Sequence, residues 1–120
     1  YAPEYVDGMW RILQHDEADD FVLATGKSHS VRKFIELTFS ELDIKLDWVG
    51  KNENEKGIDQ DSGKTLIYID SKYYRPTEVD ILVGNPEKAK EKLAWKASTN
   101  LKDIIKIMVD AEMKNLQDNN

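Results

Sequence analysis

The sequence has no cysteine and only two histidines. Without cysteine the chain forms no disulfide bonds and carries no thiolate chemistry, a composition compatible with the cytosol. His15 and His29 lie fourteen residues apart with no cysteine near either. A zinc site normally needs four such ligands at characteristic short spacings, so none is expected here.

Basic charge and long apolar runs are also scarce. The 17 Lys and Arg residues are outnumbered by 23 Asp and Glu residues, which gives a net charge of −6. Neutralising nucleic-acid phosphates requires a basic surface, so nucleic acid is not an expected partner. No apolar run approaches the roughly 18–20 residues needed to span a bilayer, and no signal peptide is visible. At 120 residues the chain is expected to form one domain, 1–120.

The six glycines nowhere form a G-x-G pair. The sequence therefore has neither the dinucleotide-binding turn nor the P-loop. Tyr68 and Lys72 spell Y-x-x-x-K, but that catalytic pair needs both side chains on one helix face, and Tyr68 lies in a strand-like run. The series Asp59-x-Asp61-x-Gly63 fails as a calcium loop, since the sixth place, where glycine is needed, is Lys64. We expect no catalytic, cofactor-binding or metal-binding residues.

Hydrophobic periodicity predicts a mixed α+β fold with about four helices and short strands. Pro3 suits the first turn of a helix, and Ser30 is a typical N-cap. The three tryptophans, Trp10, Trp48 and Trp95, are assigned to the core. Helices are predicted over 3–14, 31–42, 87–93 and about 101–116; strands over 21–25, 44–49 and 66–70; an apolar patch over 79–83; and a polar, mobile loop over 51–64.

The segment around Arg75 and Glu78 has the most specific chemistry. The Arg75 guanidinium can present a planar fork of donors to a diphosphate, and an ionised Glu78 can accept hydrogen bonds from a ribose diol. Pro76 restricts the backbone between them. A surface ion pair at a turn is the simpler alternative, since such pairs are common and weak.

Four segments resemble the C-terminal part of the GDP-mannose 4,6-dehydratase family, a group of extended short-chain dehydrogenases/reductases. The segments occur in the family's order and run nearly the length of the chain, with one departure at Lys56, where an apolar residue is typical. They are Tyr5-Val6-Asp7-Gly8-Met9-Trp10, Ala24-Thr25-Gly26-Lys27-Ser28-His29-Ser30-Val31-Arg32-Lys33-Phe34, Gly50-Lys51-Asn52-Glu53-Asn54-Glu55 and Tyr73-Tyr74-Arg75-Pro76-Thr77-Glu78-Val79-Asp80.

The resemblance implies a small substrate-binding domain without its N-terminal NADP-binding Rossmann domain, and a start at Tyr1 agrees with a piece of a longer protein. It assigns Arg75 to the diphosphate and Glu78 to the ribose. Ser30, Val31 and Arg32 match the family's S-V-R string at a helix start, where exposed N–H groups favour anionic or polar ligand atoms. These five residues are the expected substrate-binding set.

The parent enzyme, by the same resemblance, is a cytoplasmic, NADP-dependent homo-oligomer. It oxidises GDP-mannose at C4, eliminates water across C5–C6 and returns the hydride to C6, giving GDP-4-keto-6-deoxymannose for GDP-fucose and related deoxysugars. This chain alone is expected to be inactive and to bind no cofactor. Two alternatives remain: a stand-alone nucleotide-sugar-binding module, and part of another nucleotide-sugar dehydratase or epimerase.

Overall fold

The computed structural model describes residues 1–75 and 81–119, and the predicted apolar patch over 79–83 lies partly outside them. The described residues form two compact units, 1–29 with 81–104 and 30–75 with 105–119. They contain a mixed set of α-helices and antiparallel strands, as the sequence predicts. The helices are α1 (Ala2–Leu13), α2 (Val31–Ser40), α3 (Glu87–Leu93) and α4 (Leu101–Asp118); the strands are β1 (Leu46–Val49), β2 (Lys56–Asp59) and β3 (Thr65–Tyr68).

The core of the first unit is built around Trp95. Its side chain is 1% exposed, and it clusters with Ala89 and Leu93 from α3. The indole nitrogen donates a hydrogen bond to the Glu4 carbonyl oxygen at 2.7 Å, so the ring's one polar group is satisfied inside the core. Further partly buried side chains pack against this cluster: Tyr5, Ile12, Phe21, Leu23 and Ala97.

One stripe of α1 is apolar but not buried. The helix has the predicted periodicity, and Pro3 lies in its first turn. Tyr5 and Ile12 pack against the core, but four other apolar side chains of α1 are more than half exposed: Val6, Met9, Trp10 and Leu13. The assignment of Trp10 to the core was therefore wrong, because its side chain lies outside the face of α1 that meets α3.

Arg11 joins the end of α3 to α1. Its guanidinium donates to the carbonyl oxygens of Leu93 at 3.1 Å and Ala94 at 2.8 Å, and Nε donates to the Asp7 carboxylate at 2.8 Å. Carbonyl groups at a helix end lack intrahelical partners, so a cation there is favourable. Ala94 adopts left-handed backbone geometry at φ 49°, which ends α3 and redirects the chain into Trp95.

Residues 21–25 do not form the predicted strand. Their backbone is irregular, although Phe21 and Leu23 contact the core as the apolar run suggested. Upstream, the Asp19 carboxylate accepts hydrogen bonds from Lys88 at 2.5 Å and Lys92 at 3.1 Å, both on α3. Side-chain contacts with α3, rather than a strand ladder, therefore hold this segment.

The second unit contains an antiparallel sheet in the order β1–β2–β3. β1 lies within the predicted strand over 44–49, and it alternates half-buried and exposed side chains. β3 overlaps the predicted strand over 66–70 but begins one residue earlier, at Thr65. The prediction of a polar loop over 51–64 was wrong, since this stretch contains a turn of 3-10 helix (Asn52–Asn54) and all of β2. β2 gives no hydrophobic alternation in the sequence because its inward position is Gly57, which is buried opposite Trp48.

Side-chain caps fix the starts of α2 and α4. The Ser30 hydroxyl oxygen accepts a hydrogen bond from the Lys33 amide at 3.1 Å, which confirms the predicted N-cap. At the start of α4, the Asn100 side-chain oxygen accepts a hydrogen bond from the Asp103 amide at 3.1 Å. Within residues 1–75 and 81–119, no helix combines the length and hydrophobicity that a bilayer span requires.

Replacing Gly8 with alanine is expected to destabilise the chain. A Cβ atom at Gly8 would lie 2.8 Å from Leu23 Cδ1 and 2.9 Å from Trp95 Nε1. Glycine to alanine in a helix normally gains up to about 1 kcal/mol, but crowding of a packed core costs about 1–3 kcal/mol. Urea unfolding should show a net loss for Gly8→Ala and a slight gain for Asn115→Ala, an exposed α4 control. A stabilised Gly8→Ala would contradict this packing.

Acid should weaken the contact between α1 and the segment after Trp95. The Glu4 carboxylate accepts hydrogen bonds from the Ser98 hydroxyl and amide and from the Thr99 amide, and the Ser98 hydroxyl bond is the main cause of a lowered Glu4 pKa of about 2, against an ordinary 4.5. Because the folded pKa is depressed, this stabilisation is complete above pH 4.5 and is lost as the pH falls towards 2.

Carboxyl NMR titration of Glu4, alongside melting temperatures between pH 7 and 2, tests this expectation. Ser98→Ala removes the strongest donor, so the Glu4 pKa should rise and the acid dependence of the melting temperature should shrink. An unchanged Glu4 pKa in Ser98→Ala would show that Ser98 does not hold this carboxylate.

Candidate functional site

Among the predicted substrate-binding residues that the structure describes, Arg32 has the most side-chain contacts with other residues. Its Cζ atom lies 4.7 Å from the centroid of the Trp48 ring, a cation–π geometry, and Nη2 forms an ion pair with Glu55 Oε1. The Arg32 side chain remains 44% exposed. The structure gives Arg32 no further hydrogen bond to the described residues, so donors of the guanidinium other than this Nη2 contact remain available to a ligand.

Trp48 is itself fixed from a second direction. Its indole nitrogen donates to Glu36 Oε1 on α2 at 3.1 Å. In the sheet Trp48 is directly opposite Gly57, where an added Cβ would lie 3.4 Å from Trp48 Cζ3. Assigning Trp48 to the core without a stacking role was therefore wrong, since its half-buried ring supports a cation.

Ser30 and Val31 precede Arg32 at the start of α2. The Ser30 side chain is already engaged as the helix cap, and the Val31 side chain is 75% exposed. Ser30 can therefore contribute to ligand binding mainly by fixing where the helix starts. Val31 offers an accessible apolar surface beside Arg32 in the sequence.

Arg75 is exposed and lies in irregular backbone, just after a turn closed by a hydrogen bond from the Tyr73 amide to the Asp70 carbonyl at 3.0 Å. Glu78 and Pro76 lie outside the described residues. The pairing of Arg75 with Glu78 across a diphosphate and a ribose therefore stays a prediction. Tyr68 lies on β3 and Lys72 in this turn, so they do not share the helix face that a Y-x-x-x-K pair requires.

The first unit contains a half-open cleft of about 420 Å³. Its walls are mainly apolar, with exposed Lys90 and Lys96 contributing positive charge. Thr25 Oγ1 donates to the Lys27 carbonyl at 3.2 Å, and the Asn85 side-chain oxygen accepts from the Glu87 amide at 3.0 Å. The Thr25 and Asn85 side chains thus stabilise their own turns, and Arg32 and Arg75 belong to the other unit.

Metal chemistry finds no support in the part of the chain that the structure describes. No group of three or more histidine, aspartate or glutamate side chains is arranged there to hold an ion. In the acidic turn, the Asp59 carboxylate accepts hydrogen bonds from the Ser62 hydroxyl and the Asp61 amide. The Ser62 hydroxyl is the main cause of a lowered Asp59 pKa, so this carboxylate stabilises the β2–β3 turn.

Sequence reasoning missed Trp48 and Glu55 as neighbours of Arg32, and Glu36 as the hydrogen-bond partner of Trp48. The alternating pattern of β1 agrees with the half-buried position of Trp48. The strand register that places Trp48 opposite Gly57 depends on tertiary structure and is not visible in the sequence. Glu55 was part of the predicted polar loop, whose strand was not recognised. The one unusual feature of this segment in the sequence was Lys56, immediately after Glu55, where the family typically has an apolar residue.

Comparisons with known proteins agree with the motifs. The profile of the family described as GDP-mannose 4,6 dehydratase matches residues 1–108. A Dictyostelium discoideum GDP-mannose 4,6 dehydratase is 47% identical over 95% of this chain and 32% of its own length. The Homo sapiens protein of that name is 46% identical over 99% of the chain and 32% of its length. A Sinorhizobium fredii relative is 43% identical over 98% and 33%, respectively. The chain thus spans about a third of the length of these relatives.

Proposed function

Because this chain belongs to the GDP-mannose 4,6-dehydratase family, we propose that it is the C-terminal, substrate-binding portion of an enzyme that converts GDP-mannose to GDP-4-keto-6-deoxymannose. The observation that carries the proposal is the family match over residues 1–108, which includes both the S-V-R string and the R-P-T-E string. The reaction is a dehydration, so the parent enzyme would be a lyase supplying precursors of GDP-fucose and related deoxysugars.

Recognition of the substrate's diphosphate is the role proposed for this chain. Arg75 and Arg32 would supply guanidinium donors, and Glu78 would accept hydrogen bonds from the ribose. Arg32 is supported by its exposed, anchored guanidinium in the second unit. Ser30 would set the start of α2, and Val31 would offer apolar contact.

NADP does not fit the residues that the structure describes. A dinucleotide site of this enzyme class needs a glycine-rich turn between a parallel strand and a helix. The described strands form an antiparallel sheet, and the sequence has no G-x-G pair. If the parent depends on NADP, as proposed, the Rossmann domain outside this chain would bind the cofactor. That domain would also carry the catalytic residues.

The exposed apolar stripe of α1 is evidence for a partner domain, either on the same polypeptide or associated with it. Val6, Met9, Trp10 and Leu13 recur at helical spacing and are 58–79% exposed. Exposed apolar patches of this kind mark interaction surfaces. The proposed occupant is the Rossmann domain of the parent enzyme, which is further proposed to be a cytoplasmic homo-oligomer.

Arg75→Ala tests the substrate assignment in the complete enzyme, meaning this chain together with its proposed Rossmann domain. Losing charged hydrogen bonds to a diphosphate costs about 1.5–3 kcal/mol, so KM for GDP-mannose should rise roughly 10- to 100-fold. Lys102→Ala, an exposed α4 cation, is the matched control and should leave KM unchanged. An unaltered KM in Arg75→Ala would remove Arg75 from the site.

The 120-residue chain alone should bind GDP-mannose weakly or not at all, because the rest of the proposed substrate site would belong to the Rossmann domain. Calorimetric titration with GDP-mannose would measure this affinity. The fluorescence of NADPH should not change when the chain is added. A dissociation constant in the low micromolar range would favour a stand-alone binding module. A complete enzyme that prefers UDP- or dTDP-sugars over GDP-mannose would favour another nucleotide-sugar enzyme.

A further inference from the structure

Free arginine side chains sample many rotamers, and ordering one on a ligand costs free energy. The structure shows Arg32 already ordered from two directions. The Arg32 Cζ atom lies over the Trp48 ring, 4.7 Å from its centroid, and Glu55 accepts a hydrogen bond from Nη2. Both contacts lie within the second unit.

Both supports are tied to elements of the second unit. Trp48 is in a central position of β1, paired with Gly57, and its indole nitrogen is bound to Glu36 on α2. A side chain larger than hydrogen at Gly57 would crowd both Trp48 and Ile67, whose Cβ lies 3.2 Å from the added atom. Glu55 immediately precedes β2, and its side chain is only 21% exposed.

We propose that Trp48 is a positioning residue: its ring holds the Arg32 guanidinium in the plane that receives the diphosphate of the substrate. The proposal rests on the proposed function, in which Arg32 contacts that diphosphate. Trp48 itself would not touch the substrate. Its contribution is to lower the ordering cost of Arg32 and to leave the donors not used by Glu55 available for phosphate oxygens.

Glu55 has two opposing effects that substitution can separate. Its carboxylate orients Nη2 but also opposes the approach of an anion. Glutamine keeps an acceptor oxygen and removes the charge, whereas alanine removes both. Glu55→Gln should therefore bind GDP at least as tightly as the unsubstituted enzyme, and Glu55→Ala should bind it more weakly.

Calorimetric titration of the complete enzyme with GDP tests the inference. A cation–π contact contributes about 0.5–2 kcal/mol, so Trp48→Leu should raise the dissociation constant roughly 2- to 30-fold. Trp48→Phe keeps an aromatic face, lacks the bond to Glu36, and should retain affinity within about threefold. Tyr68→Leu, at an exposed aromatic on β3 of the same unit, is the matched control and should leave GDP affinity unchanged.

A double-mutant cycle separates positioning from general stabilisation of the fold. If Trp48 acts through Arg32, then Trp48→Leu should weaken GDP binding no further once Arg32→Ala is present. Equal weakening in both backgrounds would overturn the inference, as would full affinity in Trp48→Leu while Arg32→Ala binds weakly. Full affinity in Arg32→Ala would instead refute the proposed role of Arg32 at the diphosphate. Trp48→Phe and Arg32→Ala keep both tests available if Trp48→Leu does not fold.

Discussion

The first unit depends on the burial of one indole. Trp95 fills the space between α1 and α3, its nitrogen is satisfied by the Glu4 carbonyl, and the Tyr5 ring meets it edge-on at 5.5 Å. Gly8 makes this possible by presenting no side chain where the ring and Leu23 approach. The left-handed Ala94 ends α3, and Trp95, the next residue, anchors that end in the core. The half-open cleft of this unit has Trp95 in its wall, so its shape follows from this burial.

The sequence predicted those elements whose signals are local. Periodicity identified the helices, Ser30 marked the start of α2, β1 lies within its predicted strand, and β3 overlaps its predicted strand. The two errors in secondary structure came from segments whose conformation depends on residues distant in the sequence. The apolar run 21–25 buries side chains on the core without a strand beside it. β2 has little apolar character because Gly57 leaves its inward space to Trp48 from the neighbouring strand.

The candidate site also has features that the sequence could predict and features that it could not. Local chemistry nominated Arg75, since a guanidinium suits a diphosphate, and the resemblance to the family nominated Arg32. They could not reveal that Arg32 lies over the Trp48 ring and pairs with Glu55, because the three residues come from a helix, a strand and the residue before another strand. Likewise, the apolar spacing of α1 indicates a buried face without specifying what buries it, and Trp10 is mostly exposed in this chain.

Few large side chains are fully buried in the described part of the chain, and this has a calorimetric consequence. Of the apolar residues there, only Ala89, Leu93, Trp95 and Ile105 are buried. The heat-capacity increment of unfolding scales with the apolar surface newly exposed to water. This polypeptide should therefore have an unusually shallow stability curve with temperature, and covering the α1 stripe would steepen it.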